Sequence, residues 1–345
     1  MPQHTPEPIR TDALVIGAGP VGLFVVFQLG LLGVHAHVVD SLPHPGGQPA
    51  ELYPDKPIYD IPGLPVSTGA ALAQALWQQT RPFAPTVHLQ DQVAEVQALP
   101  DQRWQVRTAA GLCFDCATVF IAAGVGAFVP KTLALPGIDV FLGQQLHYHR
   151  PAQMPAPGQA LLVMGDGDAA VQAAIDAAHG GAIVTLMHRR DAFKADAHRT
   201  AHLQALRETG QIRFLAAQAV GWQGIEGRLK ALRVALPDGR EEHLAVDQVW
   251  ALTGLSPKLG ALAQWGLAME RKQLVVNTEN FQTELRGIYA VGDINTYPGK
   301  KKLLVCGFHE ATLAAYGAMA IITPGQTVHL QYTTTSTQLH ARLGV

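Results

Sequence analysis

Two stretches of the chain share one pattern of apolar and polar positions. In the first, an apolar run at 13–16 leads into a glycine turn, a mostly apolar segment of helical length at 23–32 and a strand-like segment at 35–39 that ends at Asp40. Buried apolar runs on either side of a helix predict two parallel strands, so residues 13–40 are predicted to form a strand–helix–strand unit. Its turn carries Gly17, Gly19 and Gly22.

The pattern returns near the middle of the chain. An apolar run at 160–164 meets a second glycine turn, a helical segment extends to about residue 178, and a strand at 182–187 follows. Where the first unit ends in an acid, this one ends in His188, Arg189 and Arg190. The spacing is the same, since 40 − 17 and 188 − 165 both equal 23. The second turn carries Gly165 and Gly167, with Ala170 in place of the last glycine.

Further strands are predicted after each unit, at 103–108 and 117–123 and again at 229–236 and 246–252. Glycine-rich segments at 124–127 and 253–257 indicate where the chain crosses between domains. The repeat therefore predicts an α/β protein with two Rossmann-like, three-layer nucleotide-binding domains.

Composition narrows the class of protein. Lys and Arg number 25 against 27 Asp and Glu, a net charge of −2, so we expect neither nucleic acid nor a membrane as a partner. No apolar stretch approaches the length of about 18 residues that spans a bilayer, and the first 20 residues lack a secretory pattern. With three cysteines in 345 residues, these features predict a cytoplasmic protein without disulfides.

The two turns differ in the charge that follows them. Glycines let a pyrophosphate approach backbone N–H groups at a helix N-terminus. Asp40 would accept hydrogen bonds from ribose hydroxyls but repel a 2′-phosphate, which favours FAD or NAD(H). His188, Arg189 and Arg190 would instead attract that phosphate, which favours NADPH. A solvated strand end remains an alternative for the basic residues.

Three routes would take electrons from a flavin. Cys113 and Cys116 spell C-x-x-C, but residues three apart on a strand point to opposite faces, which argues against a redox dithiol. Residues 141–147 match a flavin-monooxygenase fingerprint only in part. Transfer of single electrons to a carrier needs no further side chain, and residues 300–302, three lysines, would supply either a docking surface or a solvated turn.

The segments Gly46-Gly47-Gln48, 52–56 (L-Y-P-D-K) and 58–63 (I-Y-D-I-P-G) identify a family. With the two turns and the late motif Gly287-Ile-Tyr-Ala-Val-Gly-Asp293, the chain resembles the ferredoxin/flavodoxin–NADP(+) reductases of the thioredoxin-reductase-like type over essentially its whole length. Relatives of the thioredoxin-reductase kind carry a cysteine pair just before the second turn, whereas residues 147–150 here are His-Tyr-His-Arg.

The resemblance implies FAD and NADP(H) as cofactors and assigns roles to residues. Asp40 would bind the adenosine ribose, the backbone of Val93 the adenine, and Asp293 the ribitol chain. The remaining FAD contacts it implies are Gln48, Tyr53, Phe128 and, in the tail, Thr334. The basic residues His188, Arg189 and Arg190 would bind NADPH with Gly165 and Gly167.

The resemblance further implies that a hydride passes from NADPH to FAD and that single electrons then pass to ferredoxin or flavodoxin. It predicts an FAD domain at 1–127 and 284–345, with the NADPH domain, 128–283, inserted, and a homodimer. We assign no catalytic side chain and no metal ligand, because hydride transfer between cofactors needs neither. A disulfide reductase and a non-enzymatic NADPH-sensing flavoprotein remain the alternatives.

Overall fold

The computed structural model describes residues 7–345. The chain divides into two compact units. One contains the residues up to Ala127 together with Pro257–Val345, and the other contains Phe128–Ser256. In this division the second unit is inserted between two segments of the first.

The return to the first unit occurs earlier than the expected boundary at 284. Residues 257–283 already belong to the first unit, because their apolar side chains are buried in its core. Leu262, Leu267, Leu274 and Phe281 are among the buried ones, at no more than 8% exposure. The glycine-rich segment at 253–257 lies at the division itself.

The first segment of the first unit contains strands and helices that alternate from its start. They are β1 (Ile9–Ile16), α1 (Pro20–Leu31), β2 (Ala36–Val39), α2 (Gly47–Leu52), β3 (Pro57–Ile58), β4 (Ser67–Thr68), α3 (Gly69–Thr80), a 3-10 turn (Arg81–Phe83), β5 (Thr86–His88), β6 (Val93–Ala98), β7 (Trp104–Thr108) and β8 (Cys113–Ile121).

The second unit opens at a strand that begins one residue before it. Its elements are β9 (Ala127–Pro130), a 3-10 turn (Ile138–Phe141), β10 (Leu146–His147), β11 (Ala160–Met164), α4 (Asp168–His179), β12 (Ile183–His188), α5 (Ala197–Glu208), β13 (Ile212–Ala216), β14 (Gln218–Ile225), β15 (Arg228–Ala235), β16 (Glu241–Ala245) and β17 (Gln248–Ala251).

The chain then re-enters the first unit and finishes in two helices. These elements are β18 (Leu255–Lys258), a 3-10 turn (Gly260–Gln264), β19 (Met269–Glu270), β20 (Gln273–Val275), β21 (Ile288–Ala290), a 3-10 turn (Gly292–Ile294), β22 (Asn295–Thr296), α6 (Leu304–Ile322) and α7 (Thr337–Leu343).

The main sheet of the first unit has the strand order β5-β2-β1-β8-β7-β6, with β21 also paired to β8. β1, β2, β5, β8 and β21 are parallel, whereas β6 and β7 form an antiparallel edge. The second half of β1, residues 13–16, is apolar and buried, and β8 is buried along nearly its whole length, as expected for central strands of a parallel sheet. The carboxyl ends of β1 and β2 thus bring the first glycine turn and Asp40 to one edge.

Helix α6 lies in the core of the first unit, where it packs against α1. Within the described residues it is the one helix of sufficient length and apolar character to cross a bilayer. Its Glu310, Ala311, Ala314, Ala315 and Ala318 are buried at the helical spacing of a face packed on a sheet. Its length and composition are accounted for by this packing.

The second unit has a parallel sheet of order β10-β17-β11-β12-β13 and a separate antiparallel sheet of order β14-β15-β16. Helix α4 packs on β11 and β12, and α5 packs on α4 and β13. The small side chains of α4, among them Ala170, Ala173 and Ala174, are fully buried against the sheet. The second glycine turn therefore stands at the carboxyl end of β11, as the first does at the end of β1.

Candidate functional site

The first glycine turn is too tight for any other residue at two of its positions. Gly17 has a φ of +108°, and a Cβ there would lie 2.4 Å from the carbonyl oxygen of Ala122. A Cβ on Gly22 would lie 1.9 Å from the carbonyl oxygen of Gly17. The Gly17 amide donates to the Val39 carbonyl at 2.8 Å, which fixes the turn to β2. The glycines thus bring the start of α1 against the strand ends.

The N-terminus of α1 is open to a ligand. Its N-cap, Gly19, supplies no side-chain cap, and Pro20 follows at the first helical position. Free N–H groups and the helix dipole there favour an anion. Gly47 closes on the turn, since a Cβ on it would lie 2.7 Å from the Cα of Gly19, and the Gly46 amide donates to the Ala18 carbonyl at 2.8 Å.

Asp40 is held by the backbone at the end of β2. One carboxylate oxygen accepts from the Ala18 amide at 2.5 Å and the other from the Leu42 amide at 2.8 Å. Burial raises the pKa of Asp40, although these two N–H groups act in the opposite direction. Each oxygen keeps a further lone pair, so the carboxylate is able to accept from a ribose hydroxyl as well.

Val93 and a residue missed by the sequence reasoning stand beside Asp40. Val93 begins β6, and the Asp91 amide two residues earlier donates to the Asp40 carbonyl at 3.1 Å. Asp91 Oδ1 accepts from the Gln92 and Ala110 amides at 2.8 and 3.0 Å, whereas its Oδ2 is buried without a partner in the described structure.

Tyr53 and Asp293 lie close together. Burial raises the pKa of the Tyr53 hydroxyl, and the negative charges of Asp293 and then Asp60 raise it further. Tyr53 ends α2, on which Gln48 is half-buried. The structure thus places Tyr53 near Asp293 in the first unit, and Gln48 on the helix that Tyr53 caps.

The start of α6 adjoins the start of α1. A Cβ on Gly307 would lie 2.4 Å from Val21 Cγ2, and the rings of Phe24 and Phe308 are 5.0 Å apart. The N-cap of α6, Leu303, supplies no side-chain cap. Two helix N-termini therefore meet at the same end of this unit, and both favour negative charge.

The run of three lysines is not a uniform surface. Lys300 is buried, with 6% of its side chain exposed, and forms an ion pair with Glu310, which is fully buried. Lys301 and Lys302 are exposed. The suggestion that all three lysines form a docking surface or a solvated turn is therefore wrong for Lys300, because its ammonium has a buried carboxylate as partner.

Phe128 and Thr334 are the two remaining predicted FAD contacts. Phe128 is half-buried in β9 and is the first residue of the second unit. Thr334 is exposed, ahead of α7, whose Arg342 donates to the Leu31 carbonyl at the far end of α1. The roles of Phe128 and Thr334 stay predictions.

The second glycine turn repeats the backbone of the first. Gly165 has a φ of +145°, its amide donates to the Met187 carbonyl at 3.1 Å, and a Cβ there would lie 2.3 Å from the Leu252 carbonyl oxygen. Gly167 is the N-cap of α4 without a side-chain cap, and a Cβ on it would meet open space. This helix N-terminus is therefore also free to receive an anion.

Basic side chains follow β12 beside the second turn. Arg189 and Arg190 are exposed, and His188 is fixed by a 3.0 Å hydrogen bond between its Nδ1 and the Arg190 carbonyl. The sequence reasoning missed two further charged residues at this turn, Asp166 and Lys194. Asp166 lies inside the turn, and its carboxylate pairs with Lys194 Nζ at 2.9 Å.

Asp166 is kept in its charged form by this pairing. Burial opposes ionisation, but the hydrogen bond from Lys194 and the charge of His188, whose Nε2 lies 3.8 Å away, lower the pKa of Asp166. The Lys194 amide also donates to the Asp166 carbonyl at 2.6 Å, so the segment after β12 folds back over the turn. The nearby charge of Lys194 gave no signal in the spacing of the motif.

The C-x-x-C cysteines lie on a central strand. Cys113 and Cys116 are both free and buried on β8, at 6% and 0% exposure. Burial raises the pKa of the Cys116 thiol far above its usual value, which keeps it from forming the reactive thiolate. The strand predicted at 117–123 begins earlier, at Cys113, and therefore contains both cysteines.

Comparison with known proteins gives one consistent result. A sequence profile described as pyridine nucleotide-disulphide oxidoreductase matches residues 11–316. Proteins named ferredoxin–NADP reductase from Paracidovorax citrulli (strain AAC00-1) and Acidovorax sp. (strain JS42) are 54% and 53% identical. The alignments cover 98% and 99% of this chain and 97% of each relative.

The fold has solved counterparts. A crystal structure of thioredoxin reductase from Lactococcus lactis superposes with a TM-score of 0.56 at 20% identity, covering 90% of this chain and 99% of that one. The predicted fold class and the resemblance are both confirmed. The chain belongs to the pyridine nucleotide-disulphide oxidoreductase family, groups within it with the proteins named ferredoxin–NADP reductase, and has the fold of thioredoxin reductase.

Proposed function

We propose that this protein is a ferredoxin–NADP reductase that holds FAD in its first unit and NADP(H) in its second. The observation that supports this most strongly is the opposite charge beside two turns of the same backbone. A buried aspartate, Asp40, ends β2, whereas the half-buried His188 ends β12 and is followed by the exposed Arg189 and Arg190. The names of the relatives agree with this assignment.

The first unit fits a flavin dinucleotide. Gly17, Gly19 and Gly22 leave the N-terminus of α1 open for a pyrophosphate, and Asp40 offers acceptors for a ribose. The polar groups for the flavin and its ribitol chain come from Gln48, Tyr53 and Asp293. At the adenine end of the dinucleotide, Val93 offers its backbone.

The second unit fits NADP(H). Gly165 and Gly167 leave the start of α4 open for a pyrophosphate, and Arg189 and Arg190 present guanidinium groups that fork onto phosphate oxygens. His188 is oriented by the Arg190 carbonyl. Charge-assisted hydrogen bonds of this kind distinguish NADPH from NADH by the 2′-phosphate alone.

FAD, when bound, supplies the conversion of a two-electron hydride into two single electrons. The residues of the chain bind and orient: the glycine turns fix the dinucleotides, Asp40 and Asp293 fix the two ends of one of them, and the starts of α1 and α6 stabilise negative charge. No side-chain acid or base is needed for the transfer, so the roles we assign are those of binding residues.

A disulfide reductase is the less favoured alternative. A disulfide reductase passes electrons from the flavin to a reactive thiol pair. The Cys113–Cys116 pair is buried, and burial raises the pKa of the Cys116 thiol. A non-enzymatic NADPH sensor is the other alternative. It is less favoured because a sensor would not require the many groups suited to FAD. Flavodoxin as a second carrier, a homodimer and a cytoplasmic location are parts of the proposal that rest on the resemblance and the sequence.

Steady-state reduction of cytochrome c by NADPH tests the proposal. We expect rapid reduction when ferredoxin or flavodoxin is present and little without a carrier. Thioredoxin with a disulfide dye serves as the parallel assay. Turnover of the dye without turnover of cytochrome c would replace the reductase by a disulfide reductase, and no turnover in either assay would favour the sensor.

A further inference from the structure

A buried ion pair contacts the turn that carries Asp293. Glu310 is fully buried in α6, and Lys300 is its cationic partner. The Glu310 carboxylate also accepts from the Gly292 amide at 2.7 Å, from Asn295 Nδ2 at 2.9 Å and from the Tyr297 hydroxyl at 2.9 Å. Each of the two carboxylate oxygens of Glu310 therefore accepts hydrogen bonds from two donors.

The pair holds both sides of Gly292. Its amide donates to Glu310, and its carbonyl accepts from Lys300 Nζ at 2.9 Å. Gly292 has a φ of +79°, in the left-handed region that glycine adopts without the steric cost of a Cβ. The next residue, Asp293, is held from a third direction, because its carbonyl accepts from Gln273 Nε2 at 3.2 Å.

The carboxylate of Asp293 itself is left for a ligand. Within the described residues it forms no hydrogen bond or ion pair, while the backbone on both sides of it is fixed. A buried ion pair adds little net stability, since the cost of removing both charges from water offsets their attraction. Such a pair is better explained by the geometry that it imposes.

We propose that Lys300 and Glu310 are positioning residues that hold the 292–293 turn in the conformation in which Asp293 binds FAD. This inference rests on the proposed function, because it requires FAD to bind in the first unit. Fixing an acceptor before the ligand arrives lowers the ordering cost of binding. The chemistry recognised is that of the polyhydroxyl ribitol chain, for which a carboxylate is the natural acceptor.

The experiment compares neighbouring lysines of the same run. Lys300→Met removes the buried cation, whereas Lys301→Met removes an exposed one and is the matched control. Apoprotein of each variant is titrated with FAD, and the dissociation constant and the visible spectrum of the bound flavin are recorded. We expect Lys300→Met to raise the dissociation constant by about tenfold or more, equivalent to about 1.4 kcal/mol, and Lys301→Met to leave it within about twofold.

Two more variants separate positioning from loss of the fold. Lys300→Met leaves Glu310 charged and unpaired in the core, so the double variant Lys300→Met, Glu310→Gln removes that charge and restores thermal stability. Lys300→Arg keeps the cation. We expect the double variant to unfold at the temperature of the wild type yet still bind FAD weakly, and Lys300→Arg to recover most of the affinity.

Either of two results would overturn the inference. One is wild-type FAD affinity and an unchanged flavin spectrum in the stably folded double variant. The other is an equal loss of affinity in Lys300→Met and Lys301→Met. Absence of FAD uptake by the wild type would contradict the proposed function as well, so the two failures are distinguishable.

Discussion

The two glycine turns share a backbone and differ in where their charges sit. In each, the amide of the first glycine bonds to the carbonyl near the end of the next strand, Val39 in one and Met187 in the other. In the first turn the acid at the strand end, Asp40, bonds back to the turn. In the second the acid, Asp166, lies inside the turn and is neutralised by Lys194.

That difference separates two tasks of a dinucleotide site. The backbone determines that a pyrophosphate is accepted, because N–H groups and the helix dipole are the same in both turns. The side chains at the strand end determine which dinucleotide is accepted, because they face the ribose and its substituents. The predictions that follow alter first the shared backbone and then the charges that differ.

The largest effect is expected at Gly22. A Cβ there overlaps the Gly17 carbonyl, whereas the equivalent position of the second turn, Ala170, already holds one in the fully buried core. Gly22→Ala should lower the free energy of unfolding by about 3 kcal/mol or more. Ala170→Gly should cost about 1 kcal/mol. Urea unfolding of both variants measures this, and equal losses would contradict the asymmetry of the two turns.

The next effect is on nucleotide choice. Arg189→Ala combined with Arg190→Ala removes the exposed cations after β12 while leaving Asp166 and Lys194 paired. Charge-assisted bonds to phosphate contribute roughly 1.5–3 kcal/mol, so kcat/KM for NADPH should fall by about 10- to 100-fold. The value for NADH should change little. Parallel assays with both nucleotides decide this, and equal losses would show that the arginines do not contact the 2′-phosphate.

A smaller effect is expected at Asp40. Asp40→Asn retains an acceptor for one of the two backbone amides and removes the charge, so FAD should bind more weakly by about tenfold. Because burial raises the pKa of Asp40, the folded protein holds this proton more tightly than the unfolded chain. The carboxylate therefore reduces stability as pH rises through the carboxyl range.

The pH dependence gives Asp40 a second measurement. The apoprotein of Asp40→Asn should gain stability relative to the wild type as pH rises through the range in which Asp40 ionises. Denaturant unfolding of both proteins at a series of pH values tests the sign. A gain for the wild type instead would mean that the Ala18 and Leu42 amides outweigh burial.

The smallest effect is expected at the cysteines. Replacing Cys113 and Cys116 together by serine should leave the rate of ferredoxin-dependent turnover within about twofold, apart from a loss of stability from two hydroxyls in the core. The matched measurement is alkylation of the wild type, in which both buried thiols should resist reagent in the native state. Loss of turnover in a folded double variant would instead support the hypothesis that Cys113 and Cys116 form a redox-active dithiol.

Local sequence patterns predicted the elements that repeat. The strand at 160–164 has the predicted bounds, and the helix after it extends one residue past the predicted end, to His179. The apolar runs and glycines are local signals, so they identify strands, turns and helix starts without knowledge of the fold. The strand that begins at Cys113 starts four residues before its predicted start, because the C-x-x-C sequence is itself part of the buried strand.

Contacts between distant residues lay outside those signals. Lys300 belongs to a run of lysines that is typical of a surface, and only the fold brings Glu310 to it. Lys194 reaches the second turn because the chain after β12 folds back. The glycine-rich segment at 253–257 is a local signal that coincides with the return to the first unit, whereas the burial of 257–283 in the core of that unit, which moves the return ahead of residue 284, is a long-range contact.

Anaerobic reduction of the FAD-loaded protein by NADPH and by NADH, followed in a stopped-flow spectrometer, tests the central claim most directly. The claim is that the acid-ended turn holds the flavin and the arginine-ended turn selects NADPH. We expect rapid bleaching of the flavin by NADPH and bleaching by NADH that is slower by about 10-fold or more at equal concentration. Equal rates, or no bleaching by NADPH, would contradict it.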